Sequence, residues 1–419
     1  MNNSRNHITV FEHERIKLNQ VINDCVFDEH KLLALQKYYG NKGVAYFSLI
    51  HNGVQFNEYV GVIQVGDLLI EVLPKADKIS HSKAEDIKWR NILIDMMRAV
   101  GSFDIRVTSN SHLKIKPNTI LDLYIEMFIN EVEYLLHTGL IKQYRKKEGN
   151  VTALKGNLLF GKHIQQNLTH RERFYVQHTN YDIEHQFHFI LYKALKFIKQ
   201  INSNASLHSR IGALLLFFPE MPSVKISEAT FNKLVYNRKS EGYSKAIEIA
   251  KLLLLQYHPD VSKGRNNVLA LMFDMNMLWE QFVYVSLRKH AQDYTVTAQT
   301  SKYFWQPEYG YRSKIRPDIV VKSQKECYVL DTKWKNLNGY NPSPDDLRQM
   351  YVYHEYYNAK KVALVYPGEE QIVKGNYYHL DNTGINIEKE CSIFPIKINQ
   401  VVKDWQLEIC NTLTTQFSK

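Results

Sequence analysis

Two short segments in the last third of the chain carry residue types that suit metal-dependent phosphate chemistry. Asp331 and Lys333, separated by a threonine, follow an apolar run, and Asp318 comes directly after a proline upstream. Because side chains alternate along a strand, Asp331 and Lys333 are expected to project on the same face. If predicted strands at 312–322 and 327–334 form a hairpin, Asp318 approaches Asp331 at the edge of the sheet.

Two carboxylates that meet in this way form a site of hard oxygen ligands, which suits Mg²⁺. The backbone carbonyl of Thr332, together with water and phosphate oxygens, would complete the coordination. Such an ion neutralises charge on a phosphoryl group and lowers the pKa of a bound water, which Lys333 would hold or polarise. Asp318 and Asp331 are therefore the predicted metal ligands of a site that hydrolyses a phosphodiester by positioning and electrostatics.

The acid-x-lysine pattern by itself has little specificity in this chain. Glu29 with Lys31, and Asp86 with Lys88, show the same spacing. The segment at 331–333 differs because a buried-looking strand precedes it, and buried strands rarely end in unpaired charges, whose desolvation is costly. A structural ion pair at the end of the strand is the alternative interpretation, and the sequence leaves both open.

Two residues outside these segments are further candidates for the site. Glu280 lies on a predicted helix that is apolar around much of its circumference, so its carboxylate needs a partner and is a possible third metal ligand. The alternative is an ordinary exposed helix charge. Gln349 and Tyr353 lie four residues apart on one face of a later helix, where they either orient the lysine, contact DNA or form a half-buried face.

The elements that must position these residues are those of a mixed α/β domain at 261–419. Asp274 is suited to cap a helix that runs to about His290, and strands are expected at 294–300, 312–322, 327–334 and 361–366. Ser343, followed by a proline and two acids, predicts the start of a helix that runs to about Tyr357. The order of helix, three strands, helix and strand favours a central mixed sheet flanked by helices.

The preceding part of the chain divides into a strand-rich domain at 1–110 and a mostly helical region at 111–260. The first is marked by two β-branched runs around Gly66-Asp67, which predict a hairpin with a type II′ turn. Periodic apolar residues then predict the helices, and Pro259 with the polar run after it marks the boundary to the last domain. The predicted helices span 85–101, 119–138, 183–200 and 243–257.

A basic segment at 142–173 lies within the helical region. It contains eight Lys or Arg residues and two Glu, and so has a local excess of 8 − 2 = +6. It is either a surface for phosphates or for an acidic protein, or a solvated and mobile connection.

The composition is that of a globular protein without a disulfide framework. The 419 residues include 53 Lys and Arg against 43 Asp and Glu, a formal charge of +10 that fits a polyanionic partner. Four widely spaced cysteines argue against a structural zinc site. Neither a membrane-spanning run nor a secretory signal is recognisable, so we expect a cytoplasmic protein with no membrane partner.

Taken together, the motifs resemble those of a known nuclease family. Glu280, Asp318, Asp331 and Lys333, followed by Gln349, resemble the PD-(D/E)XK nuclease superfamily. More narrowly, the chain is similar to the McrC-like subunits of McrBC-type restriction systems, including the LlaJI-like variants. The narrower likeness rests on the nuclease motif and on four further sequence runs: VGVI (60–63), IEVLPK (70–75), LKGN (154–157) and MLWEQFV (277–283).

The resemblance implies a Mg²⁺-dependent DNA endonuclease subunit for phage defence. Proteins of this kind cut double-stranded DNA together with a separate AAA+ GTPase ring, into which their amino-terminal region docks and whose nucleotide hydrolysis they stimulate. By position, Asp318 and Asp331 match the metal ligands and Lys333 the motif lysine, while Glu280 and Gln349 match more loosely. The chain has no GxxxxGK[ST] phosphate loop, so we expect it to bind no nucleotide itself.

Two other functions remain open at this level. A non-enzymatic adaptor that only bridges or activates an AAA+ ring would account for the basic segment. A metal-dependent nuclease that acts alone, in repair or on RNA, would need no ring partner.

Overall fold

The computed structural model describes residues 6–40, 43–65, 68–75, 82–100, 119–202, 204–255, 257–258, 268–323, 326–335, 337, 341–379, 381 and 383–417. Contacts group the chain into two compact units. The first combines Met1–Asp104 with Asp260–Lys419, and the second is Ile105–Pro259. A finer division of the first unit into an amino-terminal and a nuclease domain stays a prediction.

The described chain contains both helices and strands. The helices are α1 (Glu29–Tyr39), α2 (Lys83–Val100), α3 (Ile120–Thr138), α4 (Phe160–Asn167), α5 (Gln186–Ile201), α6 (Ala205–Phe217), α7 (Glu228–Asn232), α8 (Ser244–Leu255), α9 (Met275–His290), α10 (Pro344–Tyr357) and α11 (Val402–Phe417), with a 3₁₀ turn at Glu241–Tyr243. The strands are β1 (Asn6–Phe11), β2 (Arg15–Lys17), β3 (Val21–Ile22), β4 (Cys25–Val26), β5 (Phe47–Ile50), β6 (Gly53–Phe56), β7 (Tyr59–Val65), β8 (Leu68–Leu73), β9 (Gln143–Val151), β10 (Asn157–Leu158), β11 (Phe174–Asp182), β12 (Tyr257–His258), β13 (Val268–Asp274), β14 (Thr295–Ala298), β15 (Lys302–Trp305), β16 (Ser313–Ile315), β17 (Ile319–Lys322), β18 (Cys327–Thr332), β19 (Lys361–Pro367), β20 (Val373–Tyr378) and β21 (Ile385–Ile396). Among the described helices, none has the length and apolar character needed to cross a membrane.

The amino-terminal part of the first unit is rich in strands, as the sequence predicts. Strands β1, β8, β7 and β13 lie side by side in that order. β7 and β8 form the predicted antiparallel hairpin, in which Val65 pairs with Leu68, whereas β1 runs parallel to β8. The predicted II′ turn at Gly66-Asp67 lies outside the described residues. Alternate side chains from this sheet, including Ile8, Ile63 and Ile70, are buried in one apolar core.

The carboxyl-terminal part of the first unit contains the predicted mixed sheet. Its strand order is β14, β17, β18, β19, β21, β20, with β18, β19 and β21 parallel and the other neighbours antiparallel. Helix α10 connects the parallel strands β18 and β19, and buries Met350, Tyr353 and Tyr357 in the core that the sheet forms. This arrangement confirms the predicted α/β fold class with a mixed sheet and flanking helices.

The two helices that border the site begin where the sequence predicts. The side chain of Asp274 accepts hydrogen bonds from two N–H groups in the first turn of α9. Ser343 does the same for Asp346 at the start of α10, where Pro344 occupies the first turn. Asn358 follows the last residue of α10, and its left-handed conformation caps the helix.

The prediction of one strand over 312–322 is wrong. The segment forms two strands, β16 and β17, which belong to different sheets. The chain breaks at Pro317, which has no N–H to donate to a sheet. Just before it, the carbonyl of Arg316 accepts a hydrogen bond from the Tyr353 hydroxyl instead of a strand partner. β16 pairs with β15 in a separate two-stranded ribbon, while β17 pairs with β18.

The basic segment of the second unit is regular structure. Within the segment lie β9, β10 and α4, and β9 pairs antiparallel over nine residues with β11, which begins directly after it. This regular pairing does not support the interpretation as a mobile connection. Two of its cations, Arg145 and Lys147, form ion pairs with Asp182 and Glu184, which lie beyond the segment. Part of the local positive charge counted from the sequence is therefore neutralised. A role as a phosphate or partner surface stays a prediction.

Candidate active site

Asp331 and Lys333 lie at the carboxyl end of β18 and contact each other. The Lys333 Nζ lies 2.8 Å from Oδ2 of Asp331. The Asp331 side chain is almost fully buried, whereas Lys333 keeps about a quarter of its side chain exposed, 28%. The backbone N–H of Lys333 donates to the carbonyl of Val365 on β19, which fixes the lysine beyond the last strand residue. The lysine therefore reaches from solvent toward a buried carboxylate.

Asp318 is held against the same strand end by Thr332. Its Oδ2 accepts from the Thr332 backbone N–H at 2.7 Å and from the Thr332 hydroxyl at 2.8 Å. The register of the β17–β18 hairpin, in which Ile319 pairs with Leu330, places Asp318 opposite Asp331. The other oxygen of Asp318, Oδ1, accepts no hydrogen bond from the described residues. The structure therefore brings both acids and the lysine together.

The two acids influence each other's charge. Burial, and next the negative charge of Asp318, raise the pKa of Asp331 to about 6, against the opposing effect of Lys333. Burial by itself lowers the pKa of Lys333, but the charge of Asp331 and the hydrogen bond to it outweigh burial, so the net direction is upward. The lysine is consequently a fixed cation beside two carboxylates of which one is held in a poorly solvated position.

Glu280 on α9 lies on the edge of this group. Burial, followed by the charge of Asp318, raises its pKa. Its Oε1 accepts a hydrogen bond of 2.9 Å from the side chain of Gln299, whose own backbone N–H donates to the carbonyl of Asp318 at 2.9 Å. Glu280 is therefore half-buried and partnered next to the site rather than an ordinary exposed helix charge.

Among the described residues, no hydrogen bond joins Gln349 to the two acids or to the lysine. Its Nε2 donates to the Tyr353 hydroxyl at 2.8 Å, and that hydroxyl donates to the carbonyl of Arg316 at 3.1 Å. Burial is the main cause that raises the pKa of Tyr353 to about 12, with smaller contributions from the two site carboxylates. Gln349 and Tyr353 connect α10 to the backbone two residues before Asp318. They are therefore placed to hold Asp318 in position.

Trp334 is buried and connects the strand end to the amino-terminal sheet. Its ring packs edge-on against Trp279, and its Nε1 donates to Oε1 of Glu12 at 2.6 Å. The same Glu12 oxygen accepts from the N–H of Lys75, and burial raises the pKa of Glu12 to about 8. Trp334 therefore packs in the core, and its hydrogen bond to Glu12 links residues that are far apart in sequence.

The sequence around this site is similar to that of a known protein family. A family model described as "McrBC 5-methylcytosine restriction system component" matches residues 54–367, about three quarters of the chain. This chain belongs to the McrBC family. The match includes Glu280, Asp318, Asp331, Lys333 and Gln349, whereas Glu12 lies outside it. A search of the curated proteins found no match.

Solved structures of this family have a similar fold. A chain of the refined half-complex from the tetradecameric assembly of Thermococcus gammatolerans McrB AAA+ hexamers with bound McrC matches with a TM-score of 0.73 and 18% identity, over 98% of this chain and all of the other. A chain of the cryo-EM structure of the T. gammatolerans McrBC complex matches with a TM-score of 0.51 and 18% identity, over 68% of this chain and 87% of the other. The McrC-like resemblance predicted from the sequence is thus confirmed.

The donor set of this McrBC family member fits a divalent cation. Two carboxylates and the Thr332 carbonyl offer hard oxygens, and Mg²⁺ commonly binds through one or two carboxylates while it keeps water and phosphate ligands. Asp318 and Asp331 lie beside Lys333 at this strand end, and a divalent cation would balance the second negative charge. Within the described part of the chain, no group of three or more His, Cys, Asp or Glu side chains is arranged to hold a metal ion, so the site offers two carboxylates and Glu280 is not arranged with them as a third ligand.

Several residues of the site were not identified from the sequence. The role of the Thr332 side chain in holding Asp318 was not predicted, although the position of Thr332 between Asp331 and Lys333 indicated that it lies at the site. Gln299 had no such signal, because its role depends on a left-handed backbone, with φ of 50°, that turns it toward both Glu280 and Asp318. Glu12 had none either, since its contact with Trp334 spans 322 positions.

Proposed function

We propose that this McrBC family member is the Mg²⁺-dependent DNA endonuclease subunit of its restriction system, of the PD-(D/E)XK type. The observation that carries the proposal is the junction of β17 and β18. There Thr332 holds Asp318, and Lys333 contacts the buried Asp331. A lysine beside two carboxylates at the edge of a mixed sheet is suited to phosphodiester hydrolysis, in which positioning and electrostatics supply most of the catalysis.

Asp318, Asp331 and the backbone carbonyl of Thr332 are the residues that would hold the ion. When bound, a divalent cation neutralises negative charge on the phosphoryl group and makes water a better nucleophile. Asp318 presents Oδ1 because Thr332 occupies Oδ2 with two hydrogen bonds. Asp331 is buried, so the protein rather than solvent fixes its orientation.

Lys333 would supply a positive charge for the reacting phosphate next to the two carboxylates. Its side chain remains partly exposed where Asp331 is buried, which suits it to contact water and a phosphate oxygen. Glu280 adds a third negative charge next to Asp318. Gln349 acts as a positioning residue through Tyr353, which holds the backbone of Arg316 just before Asp318.

We further propose an AAA+ GTPase ring as the partner and duplex DNA as the substrate. The similarity in fold to a chain of the assembly of McrB AAA+ hexamers with bound McrC supports the ring partner. The sequence has no phosphate loop of its own, which fits a division of labour between the two subunits. The family description supports DNA that carries 5-methylcytosine as the first substrate to test.

Cleavage by the reconstituted system tests the proposal. The purified chain, its AAA+ partner, Mg²⁺ and GTP should cut methylated duplex DNA, and Asp331→Ala should abolish cleavage while co-purification with the partner and GTP turnover persist. Asp293→Ala, at an exposed position after α9, is the matched control and should cut normally. Normal cleavage by Asp331→Ala would overturn the site assignment.

The same assay separates the alternative functions. A chain that stimulates GTP turnover but never cuts DNA would be an adaptor. A chain that cuts without any ring would be an independent nuclease. Either outcome replaces the proposed function.

A further inference from the structure

A two-stranded ribbon projects from the chain immediately beside the candidate active site. The 302–315 ribbon consists of β15, β16 and the connection at 306–312, and almost all of its residues are exposed on both faces. A two-stranded ribbon without a covering layer has little stability of its own. Its exposed aromatic residues are Tyr303, Phe304, Trp305, Tyr309 and Tyr311. Such a concentration of exposed rings marks an interaction surface.

The same ribbon is basic. Lys302, Arg312 and Lys314 lie on it, against one acid, Glu308. The cationic groups of Arg312 and Lys314 lie 5.1 and 5.0 Å from the centre of the Tyr303 ring. Among the described residues neither cation forms an ion pair with a carboxylate. The two charges are therefore free for an anionic partner while the ring holds them in place.

Both ends of the ribbon are fixed at the site. On the entering side, Gln299 hydrogen-bonds the carbonyl of Asp318 and the side chain of Glu280. On the leaving side, Arg316 is held by Tyr353 and is followed, after one proline, by Asp318. The residues just before and just after the ribbon are therefore both held next to Asp318, the proposed metal ligand.

The base of the ribbon is anchored on α10, whereas its tip is open to solvent. The Lys302 ammonium donates to the carbonyl of Tyr356 at 2.6 Å, and the rings of Phe304 and Tyr356 lie 5.4 Å apart. At the tip, Tyr309 and Tyr311 are 91% and 98% exposed. Residues of the tip therefore contribute little to folding.

We propose that the 302–315 ribbon lies in a groove of duplex DNA and places the scissile phosphate over Asp318 and Asp331. The major groove admits a two-stranded β-ribbon. Arg312 and Lys314 contact phosphates, and Tyr309 and Tyr311 contact the sugars and base edges at the tip. The unpaired cations favour a polyanion as the partner, because Lys and Arg side chains that neutralise phosphates release the counterions bound to DNA. The inference rests on the proposed endonuclease function for the identity of the substrate.

Binding of the full-length chain to a labelled duplex DNA several turns long, in metal-free buffer, tests the ribbon without any cleavage. Arg312→Gln with Lys314→Gln should weaken binding at least tenfold and reduce the slope of log K against log salt by about two, one per lost phosphate contact. Tyr309→Ser with Tyr311→Ser should weaken binding about tenfold and leave that slope unchanged. Lys374→Gln with Tyr378→Ser, on the exposed strand β20, is the matched control and should bind like the parent chain.

The outcomes separate this inference from the endonuclease proposal. Ribbon variants that bind duplex DNA as tightly as the parent chain would overturn the inference, whether or not they cut. Ribbon variants that lose the AAA+ partner but keep DNA binding would also overturn it and identify a protein-docking surface. If no variant or parent cuts but the binding pattern holds, the endonuclease proposal fails and the ribbon remains a DNA-binding element.

A second measurement does not depend on weakened variants. A photo-crosslinking amino acid in place of Tyr309, in an otherwise unchanged chain, should crosslink to the duplex on irradiation. The same amino acid in place of Tyr378 should not. Equal crosslinking from both positions, or none from position 309, would contradict the inference.

Discussion

The backbone N–H and the hydroxyl of Thr332 both donate to one oxygen of Asp318, at 2.7 and 2.8 Å. Thr332 lies between Asp331 and Lys333, so one strand end supplies an acid, a lysine and the group that orients the acid of the neighbouring strand. Oδ2 of Asp318 is therefore held in place before any ion or substrate binds. Preorganisation of this kind avoids reorganisation during the reaction.

Removal of the Thr332 hydroxyl should loosen Asp318 without removing any proposed ligand. Thr332→Val keeps the shape and the backbone carbonyl but loses one hydrogen bond to a charged acceptor, which costs about 2 kcal/mol of the free energy of unfolding. We expect DNA cleavage about tenfold slower, measured at saturating Mg²⁺, because misplaced catalytic groups lose rate. Thr332→Ser keeps the hydroxyl and should cut nearly normally. Equal rates for the two variants would show that the hydroxyl does not orient Asp318.

Mg²⁺ should stabilise the folded chain through the two carboxylates. An ion that binds only the folded state, at a concentration a hundred times its Kd, adds about 2.7 kcal/mol to the free energy of unfolding. Thermal unfolding with and without Mg²⁺ should show a rise in Tm for the parent chain and for Asp293→Asn. Asp318→Asn should show almost none. A rise of the same size in Asp318→Asn would place the ion elsewhere.

Glu12 should make stability depend on pH. Burial raises its pKa from 4.5 to about 8, so the native state keeps a proton that the unfolded chain releases above about pH 4.5. Its contribution to stability is therefore complete below about pH 4.5 and is lost as the pH rises through about 8. Glu12→Gln keeps an acceptor for Trp334 and does not titrate. Its free energy of unfolding, from chemical denaturation, should fall less than that of the parent chain between pH 5 and 9.

Glu29→Gln is the control for this measurement, because Glu29 is exposed at the start of α1. It should leave the pH dependence of the parent chain unchanged. A Glu12→Gln variant with that same pH dependence would mean that Glu12 is ionised in the native state at neutral pH.

The Tyr353 hydroxyl should matter for turnover more than for DNA binding. Tyr353→Phe removes the donor to the carbonyl of Arg316 and the acceptor for Gln349, at a cost of about 1 kcal/mol in the free energy of unfolding. Because the backbone before Asp318 loses a support, we expect the cleavage rate to fall several-fold while the Kd for duplex DNA stays constant. Tyr351→Phe, on the same helix, is the matched control. A change in Kd alone would argue for a direct contact with DNA instead.

The sequence predicted the elements whose signals are local. The capped starts of α9 and α10 depend on Asp274 and Ser343, and both were found because a helix cap needs particular residues at fixed spacing. The order of helices and strands predicted the mixed sheet. The alternation of side chains along a strand predicted that Asp331 and Lys333 lie close together.

Features that depend on distant contacts were missed or misjudged. The segment 312–322 has strand-forming residues throughout, but Pro317 and the contact from Tyr353 split it between two sheets. The charge of the basic segment was overestimated because Asp182 and Glu184, which neutralise part of it, follow outside the counted range. A local sequence pattern does not indicate which distant residue will form a hydrogen bond or an ion pair with it.

The most direct test of the account is to locate the divalent cation. Crystals of the full chain soaked in Mn²⁺, which favours the same oxygen ligands as Mg²⁺, should show an anomalous peak within coordination distance of both Asp318 and Asp331, and Asp331→Asn crystals should lack it. A peak bound by other residues, or none near these two carboxylates in the parent crystals, would contradict the account.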